Sequence, residues 1–243
     1  MLVAQLSDVH ARTDNNNVDD LGRAIDWLRQ IGPDIAVVSG DLVEDGWEDG
    51  YREIDRITRR LACPCFLLPG NSDQRALMRA AFNHVNYWTG PDAMHFAVPA
   101  GDFLIVGLDV TIDGDHHGDA RPHLSWLEKT LLEAAHRRAL LFTHQHVFPS
   151  GIEPLDESAC RGTHDLASML DRSPVKPLAI SSGYVHRPMA SMLGTTPAYI
   201  CGSICHQNPL LLATDREPMT TDAKSILVFD VGIAGVVAHY VAL

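Results

Sequence analysis

Five short stretches carry residues whose types and spacing suit metal chemistry: Asp8-Val9-His10, Gly40-Asp41, Gly70-Asn71-Ser72-Asp73, Thr143-His144-Gln145-His146 and Gly183-Tyr184-Val185-His186. The donor set is Asp, Asn and His without Cys, which suits Mn, Fe or Zn and disfavours a soft thiolate site. Asp8 and His10 together can chelate one ion. Asp41 follows a glycine that permits a tight turn, and its two oxygens can bridge two ions. Asn71 offers a neutral amide oxygen, acceptable to a hard cation, while Asp73 is expected to cap or orient the helix after it. One of His144 and His146 is expected to project into the site and the other to serve substrate or support a ligand. Each stretch alone reads at least as well as a turn with a capping or solvated polar residue. Five in order, each after an apolar run, read together as a two-metal centre.

The apolar runs that must position these residues are Val3–Ser7, Ile35–Ser39, Cys65–Leu68, Leu140–Thr143 and Leu178–Ser181. Read as buried strands, they place the polar residues at strand C-terminal ends, where open α/β sheets bind ligands. Further strands are expected at His95–Val98, Phe103–Leu108, Ala198–Cys201, Ile226–Asp230 and Gly235–Tyr240. Helical spacing of Leu21, Ile25 and Leu28 predicts a helix over Val18–Ile31, stopped by Gly32-Pro33. Other helices are expected at Trp47–Leu61, Gln74–Ala81, His123–His136 and Thr163–Leu170, with Asp109–Ala120 and Pro149–Gly162 as loops at the site's edge. The strand–helix alternation of the first half argues for parallel βαβ units. The last sixty or so residues read as strands and turns. Two sheets packed face to face, with helices outside, would bury both.

The chain has 243 residues, 46% of them apolar, and a formal net charge of −12. One domain over 1–243 is expected, since no linker, repeat or low-complexity tract interrupts it. The acidity argues against a surface for duplex nucleic acid but not against small phosphorylated substrates, because metals invert the local field. Five cysteines without a CxxC spacing argue against structural zinc and a disulfide framework. No apolar run reaches the roughly 18 residues of a membrane span, and the opening residues lack a signal-peptide pattern. A cytoplasmic protein that does not enter membranes is therefore expected, with a homodimer left open.

The order D-x-H, G-D, G-N, a lone His and a final His resembles the calcineurin-like metallophosphoesterases over residues 1–190. The likeness is strongest to the class III cyclic nucleotide phosphodiesterases, a segment of which the stretch Ser203-Ile204-Cys205-His206-Gln207 also resembles. The resemblance implies an α/β fold, the four-layer α/β/β/α sandwich of two mixed sheets flanked by helices. It implies one ion on Asp8, His10 and His186, and a second on Asn71, His144 and the position of Tyr184, with Asp41 bridging. Mn, Fe or Zn is expected, with either both ions or only one tightly held. Catalysis would fall to Asp41, Asn71 and Ser72, and substrate contacts to Ser72, His146 and His206. The implied activity is a metal-dependent phosphohydrolase, most like a phosphodiesterase on small phosphodiesters or cyclic nucleotides. Two ions about 3.5–4 Å apart would clamp the phosphate and activate a hydroxide for in-line attack.

Two positions depart from the family pattern. Ser72 stands where the family has a His that steadies the phosphoryl group or protonates the leaving oxygen, a service worth about 10²–10⁴-fold. Relatives with a small residue there, as in G-N-C-D, remain hydrolases. Tyr184 stands where the family has the first His of G-H-x-H, and three readings follow. The phenol binds as phenolate to Fe(III), it points away and leaves the second ion to Asp41, Asn71, His144 and water, or it fills that ion's place. The second reading is preferred, since a hard cation keeps waters in open positions. The alternative to an enzyme is a pseudoenzyme that binds a nucleotide or partner through a partial site. Other histidines could compensate for the two departures: His206 has the better claim to a substrate contact, while His116 and His117 read rather as solvated residues of a loop rich in Asp and Gly.

Overall fold

The computed structural model describes residues 1–210, 222–232 and 235–243. Three strand–helix units open the chain: β1 (Leu2–Leu6), α1 (Asn17–Ile31), β2 (Ile35–Ser39), α2 (Glu48–Thr58), β3 (Cys65–Leu68) and α3 (Arg75–Ala81). Then come β4 (Phe96–Ala100), β5 (Phe103–Gly107), β6 (Thr111–Ile112), β7 (Asp115–Asp119), a 3-10 turn at Arg121–His123, α4 (Leu124–Glu133) and β8 (Arg138–Phe142). After these follow α5 (Glu153–Asp156), β9 (Cys160–Arg161), α6 (Thr163–Arg172) and β10 (Ala179–Ser182). The chain closes with β11 (Met189–Leu193), β12 (Thr196–Ile200), β13 (Ser225–Gly232) and β14 (Gly235–Ala242).

Helix α1 shows how the sequence sets an element. Leu21, Ala24, Ile25 and Leu28 are buried along one face, and the helix ends at Gly32, whose φ of 62° lets its N–H bond the Leu28 carbonyl. Strand β2 is buried at every residue, as a parallel strand covered on both faces must be.

The strands form a sheet of order β14-β13-β1-β2-β3, a second of order β11-β12-β10-β8-β5-β4, and a small one of order β6-β7-β9. Both large sheets are parallel at their centres, with β1, β2 and β3 in one and β12, β10, β8 and β5 in the other. Both are mixed, because β13, β14, β11 and β4 join antiparallel. The sheets face each other across a core that includes Val3, Val37, Leu68, Ile105, Phe142 and Phe229. Helices α1 and α2 pack on the outside of the first sheet through Leu21, Ile25, Leu28 and Ile54. Helices α4 and α6 pack on the outside of the second through Leu127, Leu131, Leu166 and Leu170. This is the four-layer α/β/β/α arrangement. Between the sheets, below their C-terminal strand ends, runs a buried polar seam. Gln5 Nε2 donates to Ser39 Oγ at 2.9 Å and to the Ser182 carbonyl at 3.1 Å, and Thr143 Oγ1 bonds Ser182 Oγ at 3.0 Å.

The expected loops are more ordered than their composition suggests. Asp109–Ala120 contains the hairpin β6–β7, and Pro149–Gly162 contains α5 and β9, which pairs with β7 at Gly118 and Asp119. Strand β7 reads Asp-His-His-Gly-Asp, without apolar alternation, and β6 and β9 have two residues each. Strand β11 is also additional to the sequence reading, since its residues are mostly exposed at an edge. Helices α2 and α4 are shorter than the expected spans Trp47–Leu61 and His123–His136.

Phe142 is buried between the sheets, and its ring meets Phe229 edge-on at 6.2 Å. Phe142→Ala should lower the unfolding free energy by about 3–5 kcal/mol through lost burial and a cavity. Urea unfolding followed by circular dichroism measures it, and a loss below about 1 kcal/mol would mean that this face repacks freely.

Candidate metal centre

The five motifs leave the C-terminal ends of β1, β2, β3, β8 and β10. The first three strands belong to one sheet and the last two to the other, so the site lies across the mouth of the sandwich. Backbone bonds tie these turns together. Asp8 N donates to Gly40 O at 3.0 Å, His10 N to Asp41 O at 2.9 Å, Gly183 N to His144 O at 2.9 Å, and Cys205 N to Asp8 O at 3.0 Å. Six non-glycine residues have positive φ among those described: Asp8, His10, Asp41, Asp45, Tyr184 and His186. All but Asp45 are motif residues. Such backbone costs on the order of 1–3 kcal/mol per residue and persists only where surrounding structure enforces it.

Two carboxylates anchor the arrangement, Asp8 fully buried and Asp41 nearly so. Asp8 receives the Tyr184 N–H at 3.1 Å from each oxygen, and its Oδ1 lies 3.3 Å from His186 Nε2. Asp41 Oδ2 lies 3.3 Å from His10 Nε2, whereas its Oδ1 lies 3.2 Å from His144 Nε2 and accepts the Ser72 N–H at 2.9 Å. The two oxygens of Asp41 thus face different groups of donors. Burial would raise both acids, but His186 beside Asp8 and His144 and His10 beside Asp41 hold them below the usual carboxylate range. The same proximity raises the imidazoles against their own burial, His144 to about 9 and His186 well above its ordinary value.

The imidazoles are oriented from behind. His10 Nδ1 donates to Glu44 Oε1, and His144 Nδ1 donates to the Ser39 carbonyl at 2.7 Å. His186 Nδ1 meets Cys205 Sγ at 3.2 Å. With the Nδ1 positions occupied, the Nε2 atoms turn inward. His10 Nε2 and His186 Nε2 lie 3.0 Å apart, an arrangement of opposed lone pairs unless a cation or proton joins them. His144 Nε2 and Asn71 Oδ1 are buried and make no hydrogen bond, although His144 Nε2 is close to Asp41. Buried polar atoms without partners are costly and call for a ligand. Acceptors from Asp8, His10 and Asp41 converge to within 4.8 Å of one another. The donor set converging around Asp8, His10 and Asp41, with His186 beside Asp8 and His144 beside Asp41, fits a metal ion.

The remaining sequence-stated residues sit differently. Ser72 donates its hydroxyl hydrogen to the Val43 carbonyl at 2.8 Å. The Tyr184 hydroxyl bonds Ser158 Oγ, and its ring stacks on His146 at 5.5 Å and meets the His144 ring edge-on at 5.7 Å. Burial, Asp41 and Asp8 push the phenol up, so it stays protonated. His146 is buried against that ring with Nε2 3.1 Å from Asp156 Oδ1. His206 is exposed beside His186 at the rim. Asp73 holds a loop instead of capping α3. It accepts the N–H groups of Leu42, Val43 and Gly70 and the Tyr51 hydroxyl, and burial beside Asp41 pushes it up to about 6.

Three residues at the site were not assigned to it from sequence: Glu44, Cys205 and His116. The acid of Glu44, three residues after Asp41, was the available signal for a carboxylate behind His10. Cys205 lies inside the Ser203–Gln207 stretch. His116 comes from β7, and its Nδ1 lies 3.4 Å from Asn71 Nδ2.

A family model described as calcineurin-like phosphoesterase matches residues 1–174. The chain is 26% identical over 228 residues to a probable glycerophosphodiester phosphodiesterase of Arcobacter nitrofigilis, covering 89% of this chain and 83% of that protein. It is 30% identical over 158 residues to a 3',5'-cyclic adenosine monophosphate phosphodiesterase of Escherichia coli, covering 64% of this chain and 55% of that protein. In fold it is similar to a dimetal phosphatase from Danio rerio, with a TM-score of 0.71 and 15% identity over 100% of this chain and 98% of that one.

Tyr184→Phe removes only the hydroxyl that bonds Ser158. Its manganese content after dialysis, read by mass spectrometry, should equal the parent's, while the unfolding free energy falls by about 0.5–1.5 kcal/mol, the worth of one hydrogen bond. Loss of an equivalent of metal would make the phenol oxygen a ligand.

Proposed function

The chain belongs to the calcineurin-like phosphoesterase family and is a phosphoesterase, and from that membership we propose that it hydrolyses small phosphodiesters, cyclic nucleotides among them, at a two-metal centre. The observation that carries the reading is Asp41, whose Oδ2 faces His10 and whose Oδ1 faces His144. In this reading Asp8, His10 and His186 would hold one ion and Asn71 Oδ1 and His144 Nε2 the other, with Asp41 serving between them. When bound, such ions supply Lewis acidity to phosphoryl oxygens and make a water nucleophilic at neutral pH.

The chain's own groups do the rest. Glu44 and Ser39 O fix the tautomers of His10 and His144, so that each presents an Nε2 lone pair. The Tyr184 and Ser72 N–H groups hold Asp8 and Asp41 in place as acceptors. The direction of the Tyr184 hydroxyl supports the reading in which the second ion keeps open positions, and weighs against a phenolate ligand. What supports hydrolysis over a pseudoenzyme is that the main chain at both departures still holds a carboxylate of the centre: the Ser72 N–H bonds Asp41 and the Tyr184 N–H bonds Asp8. A cavity of about 280 Å³ opens beside Asn71, lined among others by Gln74, Arg75, Thr111 and Asp113. Its size and polarity suit a small hydroxylated leaving group. Among the described residues no helix is long and apolar enough to cross a membrane.

Asp41→Asn leaves one good donor oxygen where two are used. Hydrolysis of bis(p-nitrophenyl) phosphate in saturating manganese should fall at least ~10²-fold, at or beyond the upper range for lost support of a metal ligand, and bound metal should drop by an equivalent. A variant that keeps both ions and full turnover would sink the bridging assignment.

A further inference from the structure

We propose that His116 is a substrate-contacting residue that supplies, from the β6–β7 hairpin, the imidazole absent at position 72. The proposal rests on the phosphodiesterase reading above.

Position 72 cannot serve, because the Ser72 hydroxyl is bound to Val43 O and its N–H to Asp41. Of the histidines outside the ligand set near the centre, His146 is buried behind Tyr184, and His206 stands over His186, on the side of the other proposed ion. His116 alone among these three reaches the Asn71 side. Its ring is exposed, and Nδ1 lies 3.4 Å from Asn71 Nδ2. The contact sorts the donors and acceptors of both residues. Asn71 Nδ2 donates, which leaves Asn71 Oδ1 as a buried acceptor without a hydrogen bond. His116 Nδ1 then accepts, and Nε2 is the ring nitrogen left to present an N–H. That N–H is a donor at the rim of the site, available to a phosphoryl oxygen.

The ring is held there by construction. Gln145 Nε2, from the motif that carries His144, donates to the His116 carbonyl at 3.2 Å. Gly118 lets the two segments approach, since a Cβ there would meet Gln145 Oε1 and Val110 Cγ2 at 3.0 Å. Arg75, three residues after Ser72, clamps the hairpin base: Nε donates to Asp109 Oδ2 at 2.8 Å, and Nη2 donates to the Thr111 carbonyl at 2.8 Å. Strand β7 then pairs with β9. The segment bearing His116 is therefore fixed on both sides relative to Asn71, as a substrate contact must be.

The test compares parent, His116→Ala, His116→Gln and the control His117→Ala, whose ring pairs with Asp115. All are loaded with manganese. Metal content is read by mass spectrometry, inorganic phosphate affinity by calorimetry, and kcat and KM with bis(p-nitrophenyl) phosphate. His116→Ala should keep its metal, bind phosphate about 10–100-fold more weakly, the scale of one hydrogen bond to a charged group, and lose kcat/KM by a similar factor. His116→Gln should recover part of both, and His117→Ala should match the parent. Unchanged phosphate affinity and kcat/KM in His116→Ala would overturn the proposal, as would loss of metal, which would make His116 a support for Asn71 only. A parent that binds phosphate but fails to cleave the diester would sink the phosphodiesterase reading, and the phosphate affinities would still decide on His116.

Discussion

Asp8 and Asp41 are two carboxylates buried side by side at neighbouring strand ends. Burying one charge is expensive unless it is paired, and burying two of the same sign compounds the cost. Much of the surrounding structure can be understood as an answer to this constraint. N–H groups of Tyr184 and Ser72 point at the carboxylates, and His10, His144 and His186 crowd around them. The left-handed backbone at five motif positions is the conformational cost of aiming those groups at one point. A fold that concentrates negative charge and lone pairs in this way is arranged for cations.

The scaffold holds that arrangement at two depths. Beneath it, Gln5, Ser39, Thr143 and Ser182 link the sheets through buried hydrogen bonds, so the strand ends of one sheet cannot shift freely against those of the other. At its edge, Asp73 and Tyr51 lock the loop after β2 to the loop after β3. Satisfied buried networks of this sort favour one arrangement over near alternatives, because each unpaired member would cost a desolvation penalty. The apolar layers supply the stabilisation against which these local costs are set.

Position 184 shows how a departure from a family pattern can be absorbed by geometry. The backbone of Tyr184 keeps a structural duty as donor to Asp8, while its hydroxyl bonds Ser158 and its ring packs against His146 and His144. Ser72 likewise keeps its N–H on Asp41 and spends its hydroxyl on Val43. In both cases the main chain does what the motif needs, and the side chain has been released for packing.

The parallel strands at the centres of the two large sheets and the five motif ends were legible in the sequence because parallel strands covered on both faces must be continuous apolar runs, and because the polar residues that interrupt those runs fall at their ends. Asp8, His10, Asp41, Asn71, His144 and His186 could be named from that pattern together with family resemblance. The hairpin β6–β7 could not, since Asp-His-His-Gly-Asp carries no apolar alternation and gains order only from Arg75, Gln145 and β9. Which way Tyr184 points, what lies behind His10 and which histidine meets Asn71 were likewise decided by partners 26, 34 and 45 residues away. A sequence records which groups are present and which local conformations they favour. The directions in which side chains point at a shared centre are settled by contacts between distant segments, and those exist only once the sheets have packed.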